Sequence, residues 1–127
     1  MQLRPINAED APPAGPSYVQ AVEVTGAQKV LYISGQIPVA TNGDLPPAFA
    51  DQCRQAWANV EAQLRAAGLS LANLVKVTTF LSDRQYTAEN RAVRLEVLGE
   101  HTPALTVIIT GIYDSAWLVE IEAIAAA

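Results

Sequence analysis

The chain has 127 residues with 13 acidic and 8 basic side chains, a net charge of −5. That length suits a single domain over residues 1–127, and an acidic chain without a Lys/Arg cluster is a poor match to a phosphate backbone, so no nucleic-acid partner is expected. No stretch reaches the ~18–20 apolar residues of a membrane span, so no membrane partner is expected either.

The lone cysteine, Cys53, excludes an intramolecular disulfide and fits a cytoplasmic setting. Hydrophobic residues make up 50% and charged residues 17%, against ~25% charged in average domains. Apolar surface is therefore expected to be covered by further copies in a symmetric oligomer. Residues 1–17 hold four of the eight prolines and read as an arm or loop with a brief strand at its start. Tyr18–Val24 alternates in part, Gly26-Ala27-Gln28 turns, and Val30–Ser34 has the β-branched and aromatic residues of a strand. Asn42-Gly43 marks a further turn.

Residues 45–68 read as a helix, with prolines at its start and Gly68 past its end. Phe49, Cys53, Trp57, Val60 and Leu64 recur at spacings of four, four, three and four, one apolar stripe. Leu74–Leu81 reads as a strand, with Val75, Val77, Thr79 and Leu81 on one face and Leu74, Lys76, Thr78 and Phe80 on the other. A second helix runs from Thr87, whose hydroxyl suits an N-cap, to Gly99. Strands Leu105–Ile109 and Trp117–Ile124 follow. The order β-β-α-β-α-β-β favours an α+β layer, one mixed sheet with both helices on one face. The other face would lie bare, and a second copy of the same sheet would cover it.

One histidine and one cysteine leave no ordinary His/Cys metal site. Phosphate-binding glycine loops and a GxSxG elbow are also missing. His101, at a helix exit, reads as solvated or structural, and Cys53, on the apolar stripe, as a buried structural thiol. Three stretches suggest chemistry. In "ISGQIP", residues 33–38, Gly35 lets a ligand or backbone come close, or marks a bulge. In "LVEIEAIA", residues 118–125, Glu120 and Glu122 share a face with Leu118 and Ile124. Carboxylates so placed serve as general acids or bases, or face solvent on an exposed edge. In "GPSYVQA", residues 15–21, Tyr18 reads as a lid over a cleft or as a core tyrosine.

"GPSYVQA", "LYISGQIP", the run from Cys53 to Asp83, "PALT" and "VEIEAIA" together resemble the Rid (reactive intermediate deaminase, YjgF/RidA-like) family, whose older descriptions read endoribonuclease L-PSP. The resemblance spans nearly the whole chain. It implies a chorismate-mutase-like fold, a homotrimer, and three clefts between subunits that hydrolyse imines and enamines to a 2-keto acid and ammonia with no cofactor. On the matching positions, Glu120 is the cleft glutamate that activates or positions water. Tyr18 is the family tyrosine, displaced by an extra Ser17. Ser34, Gly35 and Gln36 are the backbone contact, and Asn90 is the asparagine of the second helix.

The family arginine of the "P-A-R-S" context is replaced, because Pro103-Ala104-Leu105-Thr106 puts a leucine there. Arginine holds a carboxylate through two charge-assisted hydrogen bonds, each contributing roughly 1.5–3 kcal/mol. Losing both weakens 2-imino acid binding by ~10²–10³-fold. Backbone N–H groups near Val107 would help an anion without replacing a full charge. Arg91 is the best candidate to compensate, although Arg84, Arg91 and Arg94 read first as a solvated helix face. The chain is thus expected to take a small-molecule substrate or ligand, as an imine hydrolase acting on a more apolar substrate or as a non-catalytic trimer binding one. A ribonuclease is disfavoured by the acidic balance.

Overall fold

The eight residues Leu74–Leu81 form β4, the strand on which the rest of the domain is hung. The computed structural model describes residues 1–127. In chain order the elements are β1 (Gln2–Ile6), β2 (Ala21–Thr25), β3 (Val30–Gln36), α1 (Phe49–Ala66), β4, α2 (Thr87–Leu98), β5 (Ala104–Ile109) and β6 (Val119–Ala126). A four-stranded sheet runs in the order β3-β6-β4-β5. β4 and β5 are parallel and the other pairs antiparallel. The domain is α+β with two helices and a mixed sheet.

The expected single sheet is corrected here. β2 pairs not with β3 but with β1, Gln2 opposite Thr25 and Ile6 opposite Ala21, as a separate two-stranded sheet. The arm supplies a β-partner, so the backbone groups of β2 are satisfied there. A single bridge from Val19 to Ala104 ties this hairpin to the start of β5.

The α1 stripe is buried along its length, together with Gln52 and Ala56. It meets Val77 and Leu81 of β4, Val119, Ile121, Ala123 and Ala125 of β6, and Val93 and Leu98 of α2 in one core. Truncating a large aromatic in such a core costs about 3–5 kcal/mol, the size of effect expected at Trp57, which is fully buried. Gly68, at φ 74°, lets the chain reverse after α1.

Two local details differ from expectation. Thr87 is not the cap of α2. A 3-10 turn, Arg84–Tyr86, runs directly into the helix, Asp83 accepts the Gln85 N–H ahead of it, and the Thr87 hydroxyl donates back to the Arg84 carbonyl. Leu74 is buried although alternation puts it with Lys76, because the β4–β6 register shifts between those two residues and turns Leu74 inward.

The sheet face away from the helices carries Tyr32, Lys76, Thr78, Glu122 and Ile124 around a shallow depression. Tyr32 is 77% exposed. Val107, Ile108 and Ile109 of the β5 edge are exposed as well.

Candidate functional site

β5 sets Leu105 opposite Val77 and Val107 opposite Thr79. Residues paired across a ladder lie on the same face, and Val77 and Thr79 are buried under the helices. Leu105 and Val107 therefore sit on the helix side of the sheet. There they meet Thr87, Asn90, Arg91 and Arg94 of α2 and the loop Gly15–Gln20. Together these residues line a cavity of about 550 Å³. α2 turns the Asn90 amide and the Arg91 and Arg94 guanidinium groups toward it, across from the apolar Leu105 and Val107, so the lining is mixed rather than purely apolar.

The extra Ser17 leaves Tyr18 at the cavity. Ser17 is buried and turned inward, where its Oγ accepts from Arg94 Nε (3.2 Å) and Nη2 (2.9 Å), while Tyr18 lines the cavity. Asn90 is buried, and Cys53 Sγ–H donates to its Oδ1 at 3.7 Å. Burial pushes the Cys53 thiol up to about 12. It stays protonated at neutral pH and works as a weak donor that fixes the Asn90 amide, not as a nucleophile.

Arg94 is the largest departure from the sequence reading. It is only 5% exposed, where a solvated face was expected, since α2 turns it inward beneath the Ser17 loop. Burial first, and the like charge of Arg91 second, lower its pKa. No carboxylate pairs with Arg91 or Arg94. Arg91 is exposed at the cavity rim, whereas Arg84 lies outside the lining.

Glu120 is elsewhere. In β6 it lies opposite Phe80 of β4, with Val119 and Ile121 to either side facing the core, so its side chain projects from the other sheet face. It reaches over β3 at the irregularity between Ile33 and Gln36. A Cβ on Gly35 would overlap its Oε2 and lie 2.8 Å from its Cδ. Gly35 is thus both a bulge and a close approach, and what approaches is the carboxylate. Glu120 has no ion-pair partner and borders a groove with Phe80, Thr110 and Tyr113. Gln36 turns away from it, donating to the Ser34 carbonyl and accepting from Gln63.

One chain therefore brings Tyr18, Asn90, Leu105 and Val107 together, and Gly35 with Glu120, but not the two groups with each other. His101 is structural, its Nε2 bonded to the Leu74 carbonyl at 2.8 Å. Gln52, which sequence reasoning passed over, is buried and bonds the Pro46 and Ala116 carbonyls and the Leu118 N–H. It pins the segment leading into β6. Its place beside the α1 stripe, three residues after Phe49 and one before Cys53, was the available signal. No three His, Cys, Asp or Glu side chains gather closely enough to hold a metal ion, and no helix is long and apolar enough to cross a membrane.

Residues 8–127 match the family model described as Endoribonuclease L-PSP. The chain is 36% identical over 124 residues to the 2-iminobutanoate/2-iminopropanoate deaminase of Escherichia coli, covering 94% of each. A crystal structure of a Rid family protein from Yersinia pestis superimposes with a TM-score of 0.86 at 28% identity, over 100% of both chains. The chain belongs to the Rid family. This Rid protein is also similar to a RutC family protein of Pyrococcus horikoshii, 40% identical over 123 residues and 94% of each chain. Among solved structures it is similar to Escherichia coli TdcF with bound serine, with a TM-score of 0.74 and 34% identity over 98% of both chains. Some members of the family are thus imine deaminases.

Proposed function

We propose that this Rid protein hydrolyses an imine, enamine or related reactive intermediate, without a cofactor, in clefts between the subunits of a homotrimer, and that Leu105 alters its substrate class. The observation that carries this reading is the division of the site residues between the two faces of one sheet. Glu120 with Gly35 and Tyr18 with Asn90, Leu105 and Val107 are complementary halves that only a neighbouring copy can join. The exposed Val107–Ile109 edge offers backbone groups and apolar surface for such a neighbour.

In the joined cleft, the Glu120 carboxylate takes a proton from water as the oxygen attacks the C=N carbon. The carbinolamine that forms breaks its C–N bond, leaving a carbonyl and ammonia. Tyr18 orients or protonates the departing nitrogen, Asn90 holds the substrate through its amide, and the Gly35–Gln36 backbone lies beside Glu120. A carboxylate on the reacting carbon meets the Leu105 side chain instead of a guanidinium, so 2-iminopropionate is a poor substrate.

The test incubates purified protein with 2-iminopropionate generated in situ and with carboxylate-free imines. Turnover of 2-iminopropionate ~10²–10³-fold below that of the Escherichia coli deaminase is expected, rising in Leu105→Arg. Equal turnover by the unmodified protein overturns the altered substrate class. No turnover of any imine favours a non-catalytic trimer that binds a small molecule.

A further inference from the structure

We infer that the cavity under α2 is an anion site, in which Arg94 and Arg91 hold the charged group of the substrate from the helix rather than from β5. The inference rests on the imine-hydrolase reading for the word substrate, and on the cavity itself for the anion.

Arg94 is a buried cation without a counter-charge. Of its five N–H groups, Nε and one on Nη2 point at a single neutral acceptor, Ser17 Oγ, and Nη1 donates to nothing in the chain. A guanidinium keeps its proton in proteins. A charge withdrawn from water costs free energy unless it is paired. Arg91, three residues away on the same helix face, adds a second positive charge at the rim, and the two repel, which lowers the Arg94 pKa further. Two like charges beside one cavity are unfavourable when it is empty and favourable when an anion fills it. The other donors converge on the same space. Asn90 gives its Oδ1 to Cys53, which leaves its amide N–H groups for the cavity, and Thr87 and Tyr18 add hydroxyls to the lining.

The site differs in placement from one served by an arginine at position 105. A charge on the reacting carbon would lie against β5, where Leu105 stands. A charge held by Arg94 and Arg91 is instead held from the α2 wall of the same cavity. The substrate class is therefore an imine or enamine whose anionic group is removed from the C=N carbon, an anionic substrate and not an apolar one.

The probes are 4-oxopentanoate and its uncharged analogue 2-pentanone, titrated against the purified assembly by calorimetry at low and moderate salt. The unmodified protein is expected to bind the carboxylate about 10- to 100-fold more tightly than the ketone. Arg94→Gln removes most of that preference and Arg91→Gln part of it. Arg94→Lys keeps a charge without the fork and falls between. Arg91 is exposed, so its variant folds even if Arg94→Gln does not. A purely structural Arg94 would weaken both probes alike and leave their ratio unchanged, which overturns the inference. So does a protein that binds the two probes equally, or one in which Arg94→Gln dissociates the oligomer while the unmodified protein takes no carboxylate. In that case a carboxylate of a second copy fills the place. Equal binding alongside turnover of a neutral imine defeats only this inference. Selective carboxylate binding without turnover of any imine defeats only the hydrolase reading.

Discussion

The cavity under α2 and the contact between Gly35 and Glu120 are two solutions to placing charge on a small domain. In the first, a cation is tucked beneath a loop at the wall of a cavity and left without a carboxylate partner, framed by donors on a helix whose own residues are locked by Cys53 and Ser17. In the second, an anion lies half-exposed on a strand, and the protein has removed a side chain to make room for it. The helix side is built for holding and the strand side for access. A site made of both needs them on one side of the same space, which a single sheet forbids.

The largest effect expected from breaking this arrangement is at Glu120. Glu120→Gln keeps size and shape and should lower imine hydrolysis about 10²–10⁴-fold with an unchanged melting temperature. Retained activity in steady-state assays would separate the strand side from the chemistry. Gly35→Ala comes next. Its methyl group must displace the Glu120 carboxyl group, and overpacking of this kind costs about 1–3 kcal/mol, read by urea unfolding. Hydrolysis should fall at least about tenfold, the range over which a misplaced general base acts.

The third effect tests the helix side through pH. The folded state raises the Cys53 pKa from 9.0 to about 12. A group whose folded pKa is raised stabilises the fold below its unfolded pKa and loses that contribution as pH rises toward the folded value. Between pH 9 and about 12 stability should fall by up to about 1.4 kcal/mol per pH unit more than in Cys53→Ala. Parallel alkaline unfolding curves for the two proteins would refute the buried thiol. The smallest effect is at the surface. Glu96, an exposed residue, has its pKa lowered by the hydrogen bond and charge of Arg54, so the pair acts above the ordinary glutamate pKa and fades as pH falls through the lowered one. Because water and salt screen it, Glu96→Gln should leave activity unchanged and shift the melting temperature only at low ionic strength.

Much of this was legible in the residues. The α1 stripe announced the core, and alternation in Val119–Ala125 separated Glu120 from its buried neighbours. "ISGQ" marked Gly35 as a bulge or a close approach, without naming the Glu120 side chain as what approaches. What stayed hidden depended on partners distant in the chain. The pairing of β2 with β1 is decided by competition between strands for the same hydrogen bonds, which local propensity does not rank. Leu74 changed face through a one-residue register shift. Arg94 read as a surface charge because its concealment comes from Ser17, 77 positions away. In the amino-acid order that serine stands out only as an insertion, with no partner near it in the chain.

By itself the amino-acid order determined which residues repeat at helical or strand spacing, and through them the elements, the core and the family. Those are consequences of short-range geometry, where a side chain's direction follows from its own backbone. Only the tertiary structure decided on which side of the sheet each candidate works and which charges are left without a partner. Both follow from packing between segments far apart in sequence, where burial strengthens an electrostatic interaction and makes an unpaired charge costly.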